Sequence, residues 1–211
     1  MAYIGNKPAN KAVVASDLDP AVITGQTALA VAPADTDEFL ISDAGTLKRL
    51  DASLIGGGGK IGQVVQAVKT DTFTCTASSF TDVTGITVNI TPSATSSKVL
   101  VMASLVGGAA DETHVHFKLV RDSTDILLGD AASNRIRATT STGPIRNTSQ
   151  SENFSIQYLD SPSSTSAVTY KIQMQNQSGS LTSYINRSGA DVDNTTFSRN
   201  TSTITVMEVL A

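Results

Sequence analysis

From Lys98 the chain runs Val99-Leu100-Val101-Met102-Ala103-Ser104-Leu105-Val106, apolar at almost every position, until Gly107-Gly108 ends the run. Near-continuous apolar character of that length fits a central β-strand covered on both faces. Elsewhere after residue 60 the pattern has period two. Ile86, Val88 and Ile90 alternate with Thr87 and Asn89 before Thr91-Pro92-Ser93 stops the strand. Val115, Phe117 and Leu119 point opposite to His114, His116 and Lys118, while Phe154, Ile156 and Tyr158 lead to a turn at Asp160-Ser161-Pro162. Val168, Tyr170, Ile172 and Met174 form another clean face. Further strands are predicted over Ile61 to Val68, from Phe73 towards Phe80, at Ile126 to Gly129, Arg135 to Thr140, Leu181 to Ile185 and Thr203 to Val209. Turn signals recur roughly every 8–15 residues, which favours a sandwich or barrel over βαβ units. A last strand with almost no tail suits a jelly roll whose two ends lie together.

The first 55 residues read differently. Their large apolar residues are few, and an ordering cost on the order of 1–2 kcal/mol per residue is not offset by burial within the segment itself. One element stands out there: Glu38-Phe39-Leu40-Ile41 and Thr46-Leu47-Lys48-Arg49-Leu50 flank an Asp43-Ala44-Gly45 turn, the pattern of a hairpin. A lone two-stranded hairpin is marginal in water, so it needs neighbours. Gly56-Gly57-Gly58-Gly59 then separates the two parts. The expected organisation is an assembly segment at 1–55, a glycine-rich linker at 56–60 and an all-β head at 61–211.

Composition narrows the classes of function. Charged residues are only 16% of the chain and the net charge is -4, so no global field favours nucleic acid. Ser and Thr make up roughly a quarter of the sequence, as suits Thr-rich outer sheet faces. Few charges also make buried subunit contacts easier, because fewer ions lose water. Cys75 stands alone and alternates with Phe73, which predicts a small core residue. No stretch approaches ~20 consecutive apolar residues, so no membrane insertion is expected. Met1-Ala2-Tyr3-Ile4 lacks the basic start and apolar run of a signal peptide, and synthesis in a cytosol is expected.

Several strings resemble bacteriophage fibre proteins. Ala2-Tyr3-Ile4-Gly5-Asn6-Lys7-Pro8-Ala9-Asn10 is similar to the start of many phage tail-fibre and virion structural proteins, as is the stretch from Ala34-Asp35-Thr36-Asp37 through Leu50. Ser96-Ser97-Lys98-Val99-Leu100-Val101, Val120-Arg121-Asp122-Ser123-Thr124, Gly129-Asp130-Ala131-Ala132 and the ending Ser202-Thr203-Ile204-Thr205-Val206-Met207-Glu208 resemble heads of marine, cyanophage-type fibres. The resemblance implies an antiparallel jelly-roll head of the C1q and tumour-necrosis-factor type, assembled as a homotrimer. It further implies a virion location, an N-terminus attached to a tail, baseplate or capsid protein (residues 2–10 and 35–50), and a head that binds a host cell-surface glycan or protein. A capsid decoration or assembly protein without receptor role is the alternative.

Candidate sites are sparse. His114 and His116 lie on one strand face, and only a threefold axis would bring enough imidazoles together to hold a metal. Asp191-Val192-Asp193-Asn194 lacks the glycine and distant glutamate of a calcium loop. The glycine run before Lys60 fails the phosphate-loop pattern, since Ile61 and a strand follow. No cofactor is implied. Both histidines belong to one strand and no nucleophile elbow is present, so no catalytic triad is supported. Carbohydrate cleavage needs paired carboxylates in a groove, and none is recognisable. The chain is therefore expected not to be an enzyme. Loops at 131–147 and 186–200 are the expected recognition regions, with Arg187, Asn194, Phe197 and Arg199 as receptor contacts and Tyr184 as a packed neighbour.

Overall fold

The computed structural model describes residues 27, 33–34, 36–44, 46–55, 60–110 and 112–211 (the side chain of Leu47 excepted). The chain divides into two units, Met1–Gly57 and Gly58–Ala211. The first unit contains the hairpin of β1 (Glu38–Asp43) and β2 (Thr46–Asp51), followed by a single 3-10 turn at Ala52–Leu54. Phe39 lies opposite Leu50 and Ile41 opposite Lys48, and Ala44 adopts a positive φ of 49° at the turn. Ion pairs join Arg49 to Glu38 at 2.8 Å and Lys48 to Asp43. The anchoring segment 2–10 lies outside the described residues.

The second unit is built from β3 (Ile61–Lys69), β4 (Phe73–Cys75), β5 (Thr81–Ile90), β6 (Lys98–Ala109), β7 (Val115–Arg121), β8 (Thr124–Ile126), β9 (Thr140–Ser141), β10 (Ser151–Asp160), β11 (Val168–Asn176), β12 (Ser183–Ile185) and β13 (Ser202–Val209). All pairings are antiparallel. One sheet runs β3-β13-β6-β10, with β12 taking over the edge of β6 beyond β13 and carrying β4. The other runs β5-β11-β7-β8, with β9 further along the same edge of β7. Setting aside the short β4, β9 and β12, the first sheet takes the first, eighth, third and sixth strands and the second takes the second, seventh, fourth and fifth. That is the strand order of a jelly roll. The last strand is interior, between β3 and β6, and Leu210 N donates to Lys60 O at 2.8 Å, so the head begins and ends at one place.

Period-two alternation fixes which side of each strand is buried. Val99, Val101 and Leu105 of β6, Phe154 and Ile156 of β10, and Ile204 and Val206 of β13 meet Ile86, Val88, Ile90, Phe117, Leu119, Tyr170, Ile172 and Met174 of the other sheet. Phe117 and Phe154 touch across the layers edge-to-face, with centroids 4.7 Å apart. Cys75 is buried in this core and burial pushes its thiol up, so it is a packing residue. Some strands are shorter than their sequence patterns suggest. The strand from Phe73 stops at Cys75, because β12 offers only three partners. The stretch 135–140 pairs only at its end, since β8 already occupies the adjoining part of the β7 edge.

Two polar clusters join elements inside the head. Asp160, at the end of β10, accepts from Arg121 Nη1 at 2.8 and 2.9 Å and from the Tyr170 hydroxyl at 2.6 Å, tying one sheet to the other. Burial and that bond push the Tyr170 phenol up. Glu208 is 1% exposed and has no ion pair among the described residues. Its Oε1 accepts from Ser93 Oγ at 2.5 Å and Ser93 N at 2.6 Å, and its Oε2 from Gln63 Nε2 at 3.2 Å. The Ser93 hydroxyl above all holds the Glu208 carboxyl below the usual glutamate value. Because the folded value is the lower one, this stabilisation is complete above the unfolded value and fades as the pH falls through the folded one. Thermal unfolding across a pH series is expected to show Glu208→Gln destabilised at neutral pH, with the gap from wild type closing in acid.

Candidate functional site

The connection from β12 to β13 begins at a residue that binds three parts of the sheet. Asn186 is buried and has a φ of +63°, a conformation asparagine tolerates better than most side chains. Its Nδ2 donates to Lys69 O at 2.8 Å and Asp71 O at 2.9 Å, and its Oδ1 accepts from Ser202 Oγ at 2.6 Å. Its backbone N donates to Val106 O at 2.8 Å and its carbonyl accepts from Asn200 N at 3.0 Å. Both feet of the loop are thereby fixed where β13 leaves β6 and β12 replaces it. Gly189 lies against the same strand: a Cβ there would stand 1.8 Å from Ala109 O, so no larger residue fits.

Above these feet an arginine-carboxylate clasp shapes the loop. The Arg187 guanidinium carbon sits 3.8 Å from the Tyr184 ring centroid, and Arg187 donates to Ser188 O, Gly189 O and Asp191 Oδ2 at 3.0, 2.9 and 2.9 Å. Arg199 reaches the same carboxylate from the far side at 2.5 and 2.9 Å. Its hydrogen bond to Asp191 is the main reason that carboxyl lies below the usual aspartate value. At the tip, Asn194 Oδ1 accepts from Thr196 N and Oγ1 at 2.9 Å each, and Phe197 N donates to Asn194 O at 3.0 Å. The result is a cavity of about 320 Å³ lined by Asp191, Val192, Asp193, Asn194, Phe197, Ser198 and Arg199.

Of the residues expected to contact a receptor, Asn194, Phe197 and Arg199 line this one cavity, and Arg187 supports it through Asp191. Tyr184 is half-buried beneath Arg187. Sequence reasoning considered Asp191 only as a calcium ligand and missed the clasp. The signal for it is the four-residue spacing from Arg187 and the eight-residue spacing to Arg199. The other expected recognition loop, 131–147, lies partly along β7, with Thr139 N and Thr142 N donating to Phe117 O and Val115 O, and Arg137 Nε to Gly129 O.

His114 and His116 are half-buried on the outer face of the second sheet. Their rings stack with centroids 6.2 Å apart and planes 6° from parallel, so their in-plane lone pairs do not converge on one ion within a chain. His114 Nδ1 donates to Thr142 O at 3.0 Å, while His116 Nδ1 is buried without a partner among the described residues. Burial and the neighbouring His114 push the His116 imidazole below the usual histidine value. Among the described residues no group of three or more His, Cys, Asp or Glu is placed to hold a metal ion.

The outer faces of the two sheets differ sharply in charge. On the second, Asp82 accepts from Lys171 at 2.8 Å and Gln173 at 2.7 Å, and Lys118 pairs with Asp125 at 2.5 Å. On the first, the register sets Val64, Met207, Leu100 and Leu159 in one row, Gln66, Thr205, Met102 and Gln157 in the next, and Val68, Thr203, Ser104 and Ser155 in the third. None of these twelve carries a charge; the exposed Lys98 stands on the same side of β6, beyond the first row. Val64 is 58% exposed, Val68 54% and Leu159 45%.

No protein-family model matches the chain, and no curated protein matches it. Among solved structures, the crystal structure of infectious bursal disease virus VP2 subviral particle aligns with it at 12% sequence identity and a TM-score of 0.37. The alignment covers 83% of this chain and 43% of that one. A likeness of this size fixes neither family nor function. Among the described residues no helix is long and apolar enough to cross a membrane.

The loop's geometry yields a stability test. Asn186→Ala removes three side-chain hydrogen bonds and keeps the positive φ, so it is expected to cost about 3 kcal/mol. Denaturant unfolding monitored by circular dichroism measures the cost; a change within about 0.5 kcal/mol would rule out Asn186 as the support of this loop.

Proposed function

We propose that the chain is a structural component of a bacteriophage virion and not an enzyme: a homotrimeric fibre whose N-terminal segment attaches to the particle and whose head binds the host surface. The observation that carries this reading is the uncharged three-row patch on the outer face of the first sheet. Strand β6 has the sequence of a strand covered on both sides, yet Leu100, Met102 and Val106 are only half-buried and Ser104 is exposed. Copies of the same head, packed on this face, complete the burial that β6 is built for. Fully burying an aliphatic side chain contributes about 1.5–3 kcal/mol relative to exposure, so the row of Val64, Met207, Leu100 and Leu159 makes a useful anchor. The count of three follows from the resemblance to phage fibre heads.

The N-terminal hairpin supports attachment. Phe39 is 41% exposed and Leu40, on its opposite face, 73% exposed. A two-stranded hairpin with apolar residues on both faces gains its stability from a surface that receives it. Three linked heads also multiply weak contacts, since avidity exceeds single-site affinity by about 10²–10⁴ when geometry permits.

The reading is tested by Leu159→Lys. Position 159 is exposed in the single chain, so the monomer tolerates lysine, whereas a subunit contact would bury an unpaired charge at a cost of several kcal/mol. Light scattering is expected to report a fall to the monomer mass for Leu159→Lys, while Thr84→Lys, exposed on a strand of the other sheet, stays assembled. Equal behaviour of the two variants would refute the proposed interface.

A further inference from the structure

The cavity in the loop 191–199 is lined by groups that the fold already uses and by groups that it leaves unused. Asp191 is used: it accepts from Arg187 and Arg199. Asn194 Oδ1 is used by Thr196. The carboxylate of Asp193 and the Nδ2 of Asn194, by contrast, have no partner among the described residues. Half-buried Phe197 and exposed Val192 supply apolar wall between them.

This combination selects a ligand chemistry. A free carboxylate accepts hydrogen bonds from hydroxyl groups, and a neighbouring free amide N–H donates to a hydroxyl oxygen. A ligand that does both at once, while presenting C–H surface to an aromatic ring, is a pyranose with adjacent hydroxyls. The charges argue for a neutral one. Arg187 and Arg199 balance Asp191 and Asp193 in number, but both guanidinium groups are bonded to Asp191, so the group left free to face a ligand is the Asp193 carboxylate, which repels a sialic or uronic acid. A divalent cation finds too few ligands, because Asp191 is already engaged and no acidic cluster of three is present among the described residues. The volume, about 320 Å³, lies at the small end of ligand pockets, which span about 300–1,000 Å³.

We propose that this cavity is a subsite for a neutral pyranose of a cell-surface glycan, with Phe197 as the stacking wall, Asp193 as the hydroxyl acceptor and Asn194 as the donor. The proposal rests on the reading of the head as a surface-binding component and names what it binds. The Tyr184-Arg187-Asp191-Arg199 clasp then serves recognition indirectly: it holds the loop open before ligand arrives, which lowers the ordering cost of binding.

The test is a glycan array probed with the full chain, using neutral oligosaccharides of mannose, galactose and N-acetylglucosamine beside sialylated and glucuronic-acid-bearing ones. Binding to neutral probes is expected, weakened about tenfold or more by Phe197→Ala and by Asp193→Ala with unfolding temperatures unchanged. Asp193→Lys is expected to move the preference towards acidic probes. Neutral binding that survives both alanine substitutions overturns the subsite, as does a wild-type preference for acidic probes or no binding to any probe. The mass of the same sample separates this outcome from the assembly reading. A trimer that binds no probe refutes the subsite alone, and a monomer that binds neutral probes refutes the trimer alone.

Discussion

A β-sandwich is held together by the side chains its two sheets bury between them, and in this head that burial converges on β6. It is bonded to β10 along one edge and to β13 and then β12 along the other. Val99, Val101 and Leu105 point into the core and are fully enclosed. Leu100, Met102 and Val106 alternate with them and point outward, where the described residues of the head supply no second layer. Apolar residues on both sides of a strand are costly to leave wet on one side, and a soluble monomer ordinarily places charges there. The charged outer face of the other sheet shows that this sequence does so where it needs to. The asymmetry between the two faces is the physical basis for reading the head as one part of a larger assembly.

Buried polar groups complete what apolar packing leaves undetermined. Asp160 with Arg121 and Tyr170 links the sheets, and Glu208 with Ser93 and Gln63 ties the strand ends together. Asn186 marks the point where one edge of β6 passes from β13 to β12. A satisfied polar network constrains geometry more tightly than apolar contact, because each unmet donor or acceptor carries a desolvation cost. The loop over 187–200 is anchored at this passage point, so its cavity rests on feet fixed by Asn186.

Much of this was legible in the residues. Alternation at 86–90, 115–119, 154–158 and 168–174 predicts the core faces that the structure has, and the Asp43-Ala44-Gly45 turn predicts the hairpin. The doubly apolar run at 99–106 predicts a central strand, but not that the described residues of the head cover only one of its sides. That conclusion needs register: only when Leu100 is set beside Met207 and Leu159 does an uncharged patch exist, and those residues lie far apart in sequence. The clasp around Asp191 was hidden for a similar reason. Its arginines look like ordinary loop charges until the fixed feet of the loop bring them to one carboxylate.

The most direct measurement is the solution mass of the full chain at low ionic strength and again at about 1 M salt, where surface ion pairs are screened within about 3 Å. An assembly held by this uncharged patch keeps its mass in both, at three times the 21.9 kDa of the single chain. A monomer at low salt, or an assembly that falls apart as salt rises, would contradict the account.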